Sequence, residues 1–539
     1  MAPPKNPGGG GAGGAGPGRA GPGQGRGRGR GGGGGMMTGG LTPRSPTAPH
    51  ANNPTPQAVP PPEQSDSFLG GHSTGEKHVF VMVGLPARGK THMARKLVRY
   101  LSFFHGADAR VFNVGHYRRQ RVGRDAPPDF FDPGNAANVA TRQECAEEAM
   151  REMKAFLFHD REQQALIDQD GDQDRLKGPK GVYSGLVGVF DATNSTRERR
   201  AWISQELAGL PVKLIFVESI CTLEDVIEQN IRDAKTVSPD YQHVADAEEA
   251  ILNFRRRLDF YKQAYETLGA SGEEESQLSW VKLINCGQKL VINRIHGFLP
   301  GRIVQFLANM HATQRSFYFT RHGQSQYNVR GKIGGDSALT EAGTAYARKL
   351  AEFAEMQICR GEDGEERKAR LWSSSMVRTR ETAQFIAHPK RALGGEGVWT
   401  QMSHRIYRNL DELYAGVCDG MTYEEIEAQF PDEFARRKRD KLRYRYPRGE
   451  SYLDIIARLD PLVMEMESYH EPLLIIGHQA VLRLIYAYYA GYPREEAPQL
   501  SIPLNTVIKL TPRTYSCDEE RICLLEINQE DGQREPPSH

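Results

Sequence analysis

One eight-residue segment constrains the fold more than any other part of this 539-residue chain. Gly84-Leu85-Pro86-Ala87-Arg88-Gly89-Lys90-Thr91 satisfies G-x-x-x-x-G-K-[ST]. It follows His78-Val79-Phe80-Val81-Met82-Val83, a β-branched and aromatic run of the buried-strand type. Behind it, from Thr91 to Phe104, Met93, Leu97, Val98 and Leu101 share one helical face. Strand, loop and helix in that order make a phosphate cradle. Backbone N–H groups close around phosphate at a helix N-terminus, Lys90 reaches the terminal phosphates, and the Thr91 hydroxyl is placed to bind Mg²⁺. An ordinary glycine-rich turn would not require Lys-Thr at its end.

The same rhythm continues downstream. Short apolar runs at Val111 to Val114, Leu186 to Phe190 and Val212 to Val217 alternate with helical stretches such as Ala146 to Phe158. This pattern predicts an α/β domain with a mainly parallel, doubly wound sheet. A charged helix pair between Glu224 and Leu268 and the segment Trp280 to Met310 complete it. A second α/β unit starts near Ser316. Phe317 to Thr320 is strand-like and runs into Arg321-His322-Gly323, Thr340 to Phe353 is helical, and Ala369 to Ser373 and Pro472 to Ile476 are strands. The expected division is a tail over 1–70, domains over 71–313 and 314–515, and a polar tail over 516–539.

Composition sets the outer limits. Of the first 70 residues, 34 are Gly or Pro, so this tail is expected to be disordered and to add nothing to a core. Its net charge is +4 and that of the remainder −3, which argues against a dedicated nucleic-acid or membrane-surface protein. Nucleic acid is an unlikely partner for the G-R-G-R-G-R run as well, because no aromatic residue is interleaved for base stacking. Thr42-Pro43, Ser45-Pro46 and Thr55-Pro56 offer sites to proline-directed protein kinases. Seven scattered cysteines without a C-x-x-C pair fit neither a disulfide framework nor a structural zinc site. No run of about 18 uncharged apolar residues predicts a membrane span. A cytoplasmic location is the expectation.

In the first unit, Asp191 ends a strand where open α/β sheets place their ligands, as a partner for Mg²⁺ or for an accepting hydroxyl. Arg197, Arg199 and Arg200 follow closely and favour an anion. The loop G-L-P-A-R-G-K-T, Phe190 to Arg200 (F-D-A-T-N-S-T-R-E-R-R), Phe216 to Cys221 (F-V-E-S-I-C) and Asn230 to Tyr241 (N-I-R-D-A-K-T-V-S-P-D-Y) together closely resemble the kinase half of the bifunctional 6-phosphofructo-2-kinase/fructose-2,6-bisphosphatase family. The resemblance implies ATP and fructose 6-phosphate as substrates, with Mg²⁺ accompanying ATP. It assigns ATP to Gly84 through Thr91 with Asn230 and Lys235, and catalysis to Asp191, Lys235 and Cys221. It assigns the sugar phosphate to Arg118, Arg142, Thr193, Arg199, Lys235, Arg257 and Tyr261. The stretch Gln163 to Gly181 looks longer than the corresponding family loop.

The second unit matches the other half of that family at Arg321 to Ser337, Arg378 to Ala383, Tyr444 to Tyr452 and Gly477 to Arg483. The resemblance, which covers about residues 75 to 515, implies a histidine-phosphatase fold similar to phosphoglycerate mutases. Fructose 2,6-bisphosphate would be hydrolysed through a phosphohistidine on His322, with no cofactor. Arg321, Arg378 and His478 would stabilise the transferring group, and Glu412 would be the general acid. Asn328, Gly334, Tyr423, Arg437, Lys441, Tyr452, Gln479 and Arg483, together with Arg321, would hold the bisphosphate. Two positions depart from the family: Gln324 stands where a glutamate is common, and is expected to leave His322 less anchored or differently charged, and Tyr414 stands where an aspartate is usual; both are expected to tune the rate without loss of function. A homodimer regulating glycolysis and gluconeogenesis is implied. Two alternatives stay open, a chain with one competent head and an RNA-associated scaffold using the Gly/Arg tail.

Overall fold

The computed structural model describes residues 76–124, 126–158, 185–237, 247–269, 273–311, 314–361, 363–392, 397–513 and 516–526. The N-terminal tail with its Ser/Thr-Pro dipeptides, the Gln163 to Gly181 stretch and residues 527–539 lie outside them. Among the described residues, no helix is long and apolar enough to cross a membrane.

The first sheet is six-stranded. Its strands are β1 (Lys77–Val83), β2 (Asp108–Asn113), β3 (Leu186–Asp191), β4 (Val212–Ile220), β5 (Trp280–Ile284) and β6 (Lys289–Asn293), in the order β2-β3-β1-β4-β5-β6. All neighbours run parallel except β5 and β6. Every residue of β1 is buried, as expected for a central strand covered on both faces by helices. Three helices frame the site: α1 (Lys90–Phe104), α2 (Val114–Val122) and α3 (Ala136–Phe158). Helix α3 begins ten residues before the periodic stretch read from the sequence. Residues Ala136 to Glu144 remain exposed or half-buried, and burial starts only at Cys145.

The second sheet also has six strands, β7 (Phe317–Arg321), β8 (Arg370–Ser373), β11 (Ser403–Ile406), β12 (Leu473–Gly477), β13 (Thr506–Pro512) and β14 (Cys517–Cys523), while β9 (Lys390–Ala392) and β10 (Val398–Thr400) form a separate hairpin. Its order is β11-β8-β12-β7-β13-β14. Residues 517–523, expected in the polar tail, pair antiparallel with β13 along their whole length. They form the sheet's edge, where Asp518, Glu519, Glu520 and Arg521 face solvent, so no apolar alternation marks the strand.

The two α/β units share a core. Within the first unit Tyr100 of α1 stacks on Phe306 at 4.3 Å between ring centroids, and across to the second Phe104 meets Tyr488 edge-on at 5.1 Å. Around this aromatic layer Tyr100 donates to Asp460 (2.8 Å), which also pairs with Arg302. Glu467, on the helix Tyr452–Ser468, is 1% exposed and accepts from Lys96 of α1 and from Arg315, each at 3.0 Å. Burial opposes ionisation of Glu467, yet the two cations outweigh it and hold its carboxyl down to about 2.

Removing that carboxylate leaves two cations facing each other in a nearly dry layer. Glu467→Ala should therefore cost about 3–5 kcal/mol of stability, measured by chemical denaturation. A loss within about 0.5 kcal/mol would mean that solvent already screens the triad.

Candidate functional site

The first site forms at the carboxyl ends of β1, β2 and β3. In the β2–β3 register Asn113 stands opposite Asp191, and their side chains meet: Asn113 Nδ2 donates to Asp191 Oδ2 at 2.5 Å. The Thr91 hydroxyl donates to the same oxygen at 2.8 Å. Burial of Asp191 raises its pKa against these two hydrogen bonds and the charge of Lys90. The loop passes close to β4. A Cβ at Gly84, whose φ is +134°, would lie 2.5 Å from the Ser219 carbonyl oxygen, so only glycine fits. Gly84 N–H donates to Thr193 O (2.9 Å), Ser219 Oγ to Arg88 O, and Asn230 Nδ2 to Ala87 O (3.1 Å). Lys90 donates to Leu85 O at 2.6 Å across its own loop, and burial lowers its pKa to about 8 although Asp191 opposes this.

A cavity of about 1300 Å³ opens from this loop. Pro86 through Thr91, Asn230 and Asp191 line it, and so do Arg118, Arg142, Thr193, Arg199, Arg257 and Tyr261. Apart from Gly84, Leu85 and Lys235, the sequence-predicted nucleotide and sugar-phosphate residues are thus gathered in one space. Cys221, expected among the catalytic residues, is not among its lining residues. It is buried, and its sulfur lies 3.9 Å from the Leu223 carbonyl oxygen at the end of β4. Lys235 lies in the helix Glu224–Val237, and its side chain falls outside the described residues.

The second site is set by another level pair of strand ends. Gly477 of β12 lies opposite Arg321 of β7, so the next residues, His478 and His322, emerge side by side with ring centroids 5.2 Å apart. His322 Nδ1 is 2.7 Å from Gly323 O. A carbonyl oxygen only accepts, so Nδ1 carries the proton and neutral His322 keeps its lone pair on Nε2. Burial, then Arg378 and Arg321, hold His322 well below the usual imidazole range, so it is neutral at physiological pH. His478 Nε2 lies 2.7 Å from Ser374 Oγ. With that hydroxyl donating, the His478 proton sits on Nδ1, a buried atom without a hydrogen-bond partner among the described residues.

The loop at His322 is packed through glycine. A Cβ on Gly323 would meet the Gly343 carbonyl oxygen at 2.4 Å, and this lets the helix Glu341–Phe353 approach. The two hydrogen bonds that anchor His322 do not involve Gln324. His322 is tied by its N–H to Gly477 O (3.0 Å) and by Nδ1 to Gly323 O, while Gln324 Oε1 accepts from the Thr340 hydroxyl (2.9 Å) at that helix's N-cap.

Glu412 Oε1 accepts from Ala480 N–H (3.2 Å), in the first turn of the helix Gln479–Ala490. Arg378 donates to Gly335 O (2.7 Å) beside Gly334, whose φ of +66° sets the turn. Asn328 Oδ1 accepts from Ser325 N–H and closes a capping box. Arg437 donates to the Tyr423 hydroxyl (2.9 Å), and Arg483 to the Tyr452 hydroxyl (3.3 Å). Gln479 opens the helix that carries Arg483.

Sequence reasoning missed the residues that hold this framework. Arg458 donates to the carbonyl oxygens of Asn409 and Asp411 (2.6 Å) and to the Glu450 carboxylate (3.2 Å). Glu450 in turn accepts from Tyr414 N–H (3.0 Å). The loop bearing Glu412 is thereby clasped at its backbone, and Tyr414 enters through its main chain while its side chain is half exposed. Ser374 and Asn113 were missed too. Only Asn113 carried a signal, its place at a strand end.

Residues 66–170 and 182–314 match the family model described as 6-phosphofructo-2-kinase, and residues 317–524 match that of the histidine phosphatase superfamily, branch 1. The 6-phosphofructo-2-kinase/fructose-2,6-bisphosphatase of Arabidopsis thaliana is 42% identical over 465 residues, covering 86% of this chain and 56% of that protein. The Gallus gallus protein of the same name is 40% identical over 459 residues, covering 85% of this chain and 87% of its own. The Rattus norvegicus 6-phosphofructo-2-kinase/fructose-2,6-bisphosphatase 4 is 41% identical over 446 residues, covering 83% and 85%.

Lys441 gives the second site a pH signature. Burial, then Arg483 and Arg437, lower its pKa to about 7, so above that pH the empty site has lost one cation. If Lys441 holds a phosphate dianion, binding should restore the ammonium and take up a proton. A sugar phosphate monoester, already dianionic there, should bind with affinity that falls by up to about tenfold per pH unit above pH 7. Titration calorimetry in buffers of different ionisation enthalpy should detect the proton, and Lys441→Arg should remove both the uptake and the slope. A flat profile for the parent protein would contradict the assignment.

Proposed function

Because the chain belongs to the 6-phosphofructo-2-kinase/fructose-2,6-bisphosphatase family, we propose that it synthesises fructose 2,6-bisphosphate from ATP and fructose 6-phosphate in residues 71–313 and hydrolyses the C2 phosphate from residue 314 onward. The observation that carries this reading is the single cavity joining the phosphate-cradling loop to Arg118, Arg142, Arg199, Arg257 and Tyr261. ATP and the phosphorylated sugar approach from its two sides, with Asp191 where they meet.

In the first half, loop N–H groups and Lys90 hold the β- and γ-phosphates. The Lys90 ammonium leaves Leu85 O for the phosphates, whose charge favours its protonated form. Asp191 faces the accepting hydroxyl and takes its proton as the new P–O bond forms and the bond to the β-phosphate breaks. Thr91 and Asp191 are neighbouring hard-oxygen ligands and fit Mg²⁺. When bound, that ion neutralises charge on the β- and γ-oxygens. The arginines fix the far phosphate of the sugar, so the transfer depends on alignment and charge neutralisation, without a strong base.

In the second half, the lone pair of His322 Nε2 attacks the C2 phosphorus, and the bond to the C2 oxygen breaks. Glu412 gives that oxygen its proton. Arg321, Arg378 and the Nδ1–H of His478 donate to the equatorial oxygens of the transferring group. Glu412, now a carboxylate, takes a proton from water as it attacks phosphorus, and the N–P electron pair returns to Nε2. Lys441, Arg437, Arg483, Tyr423, Tyr452 and Gln479 hold the remaining phosphate and ring, beside Asn328 and Gly334. The compartment is the cytoplasm, and the assembly is a homodimer, as the family resemblance implies.

Because the two sites share no residue, they should fail separately. Lys90→Ala should lower synthesis by about a hundredfold or more while leaving hydrolysis intact. His322→Ala should abolish hydrolysis and the acid-labile label from substrate labelled in its C2 phosphate, with synthesis preserved. Both activities, measured on one preparation of each variant, decide the matter. Hydrolysis surviving His322→Ala would sink the phosphohistidine route, and near-normal synthesis by Lys90→Ala would sink the nucleotide assignment.

A further inference from the structure

Three cations of the kinase cavity come from three different helices: Arg118 from α2, Arg142 from α3 and Arg257 from the helix Ala247–Gln263. Like charges brought together repel, so something must collect them without cancelling the charge that a phosphate needs. All three converge on one residue, Phe131. It is 3% exposed, lines the cavity and closes the single 3₁₀ turn Pro128–Phe131. The Arg257 guanidinium lies 4.0 Å from its ring centroid and that of Arg118 5.4 Å, while Arg142 Nη1 donates to its carbonyl oxygen at 3.0 Å. Tyr261 completes the cluster, its ring 5.8 Å from that of Phe131.

Both kinds of contact hold a cation while leaving its formal charge intact. The negative face of a π system attracts a guanidinium without neutralising it. A backbone carbonyl does the same through its dipole. The turn itself is stiff, with Pro127 before it and Pro128 at its first position.

We propose that Phe131 is the positioning residue that gathers Arg118, Arg142 and Arg257 into one receptor for the phosphate of the sugar substrate, so that it sets affinity for that substrate and not the rate of phosphoryl transfer. This deepens the reading of the kinase half given above and rests on it. Phe131 touches none of the residues assigned to the γ-phosphate among the contacts described here, so its removal should disturb the sugar end of the cavity alone.

The test is steady-state synthesis by the full chain at saturating ATP with fructose 6-phosphate varied. Phe131→Leu keeps an apolar side chain but has no π face. It should raise KM for fructose 6-phosphate about tenfold, with kcat within about twofold and KM for ATP unchanged. Phe131→Tyr, which keeps the face, should stay near the parent. Phe130→Leu, an equally buried neighbour on the same turn, controls for simple loss of packing, and hydrolysis at the second site reports an intact fold. An unchanged KM in Phe131→Leu, beside a raised KM in Arg257→Ala, overturns the proposal. So does an equal rise in Phe130→Leu, which would reduce Phe131 to packing. If Arg118→Ala and Arg257→Ala both leave KM unchanged, the sugar-phosphate site itself is wrong, and this inference falls with it.

Discussion

Parallel strands that end level with one another are the constraint on which both sites depend. A strand delivers its last side chain to a point fixed by its hydrogen-bond register, and two adjacent strands in register deliver two such points about one strand spacing apart. Asn113 opposite Asp191 and Arg321 opposite Gly477 are two uses of the same geometry. In the first, an amide locks a carboxylate; in the second, two imidazoles emerge next to each other. A shift of one residue in either register would send the functional side chain to the other face of its sheet.

Burial then gives those side chains their chemistry. Lys90, Asp191, His322 and His478 are all withdrawn from water, and each is pushed toward its neutral form. For His322 this is the reactive form, since only the unprotonated ring can attack phosphorus. For Lys90 the shift, to about 8, is a bias that incoming phosphate charge reverses, and for Asp191 it is one that a bound cation would oppose. The same desolvation thus keeps one head ready and leaves the other responsive to its ligand.

The sequence showed the strands that are buried on both faces, because their continuous apolar runs have no other reading: β1, β3 and β12 are of this kind. It showed Lys90, Thr91, Asp191 and His322 because they adjoin such strands. What it hid are elements whose pattern solvent erases, such as the solvent-facing first turns of α3 and the charged edge strand β14. It also hid residues that act on main-chain atoms from far along the chain. Arg458 grips carbonyl oxygens some fifty positions away, and nothing in its neighbourhood announces that. Cys221 is the opposite case, a residue that the motif includes but that is not among the cavity's lining residues. Gln324 is a change of residue type beside the nucleophile whose side chain accepts from a helix cap, the Thr340 hydroxyl.

Helix α1 begins at the nucleotide loop and ends against the other unit. Its Tyr100 is buried against Phe306 of its own unit, and its Phe103 and Phe104 against Tyr488 of the other. The two catalytic units are therefore poor modules. A cut in the connection near Ser316 would strip an aromatic layer from both faces at once and strand Glu467, Lys96 and Arg315 in water on separate pieces. Gene fragments encoding either half would carry a sticky aromatic patch, prone to self-association. Any lineage or laboratory that discards one activity is better served by losing a side chain than by losing a domain, so a monofunctional descendant of such a chain should keep its silent partner as scaffold.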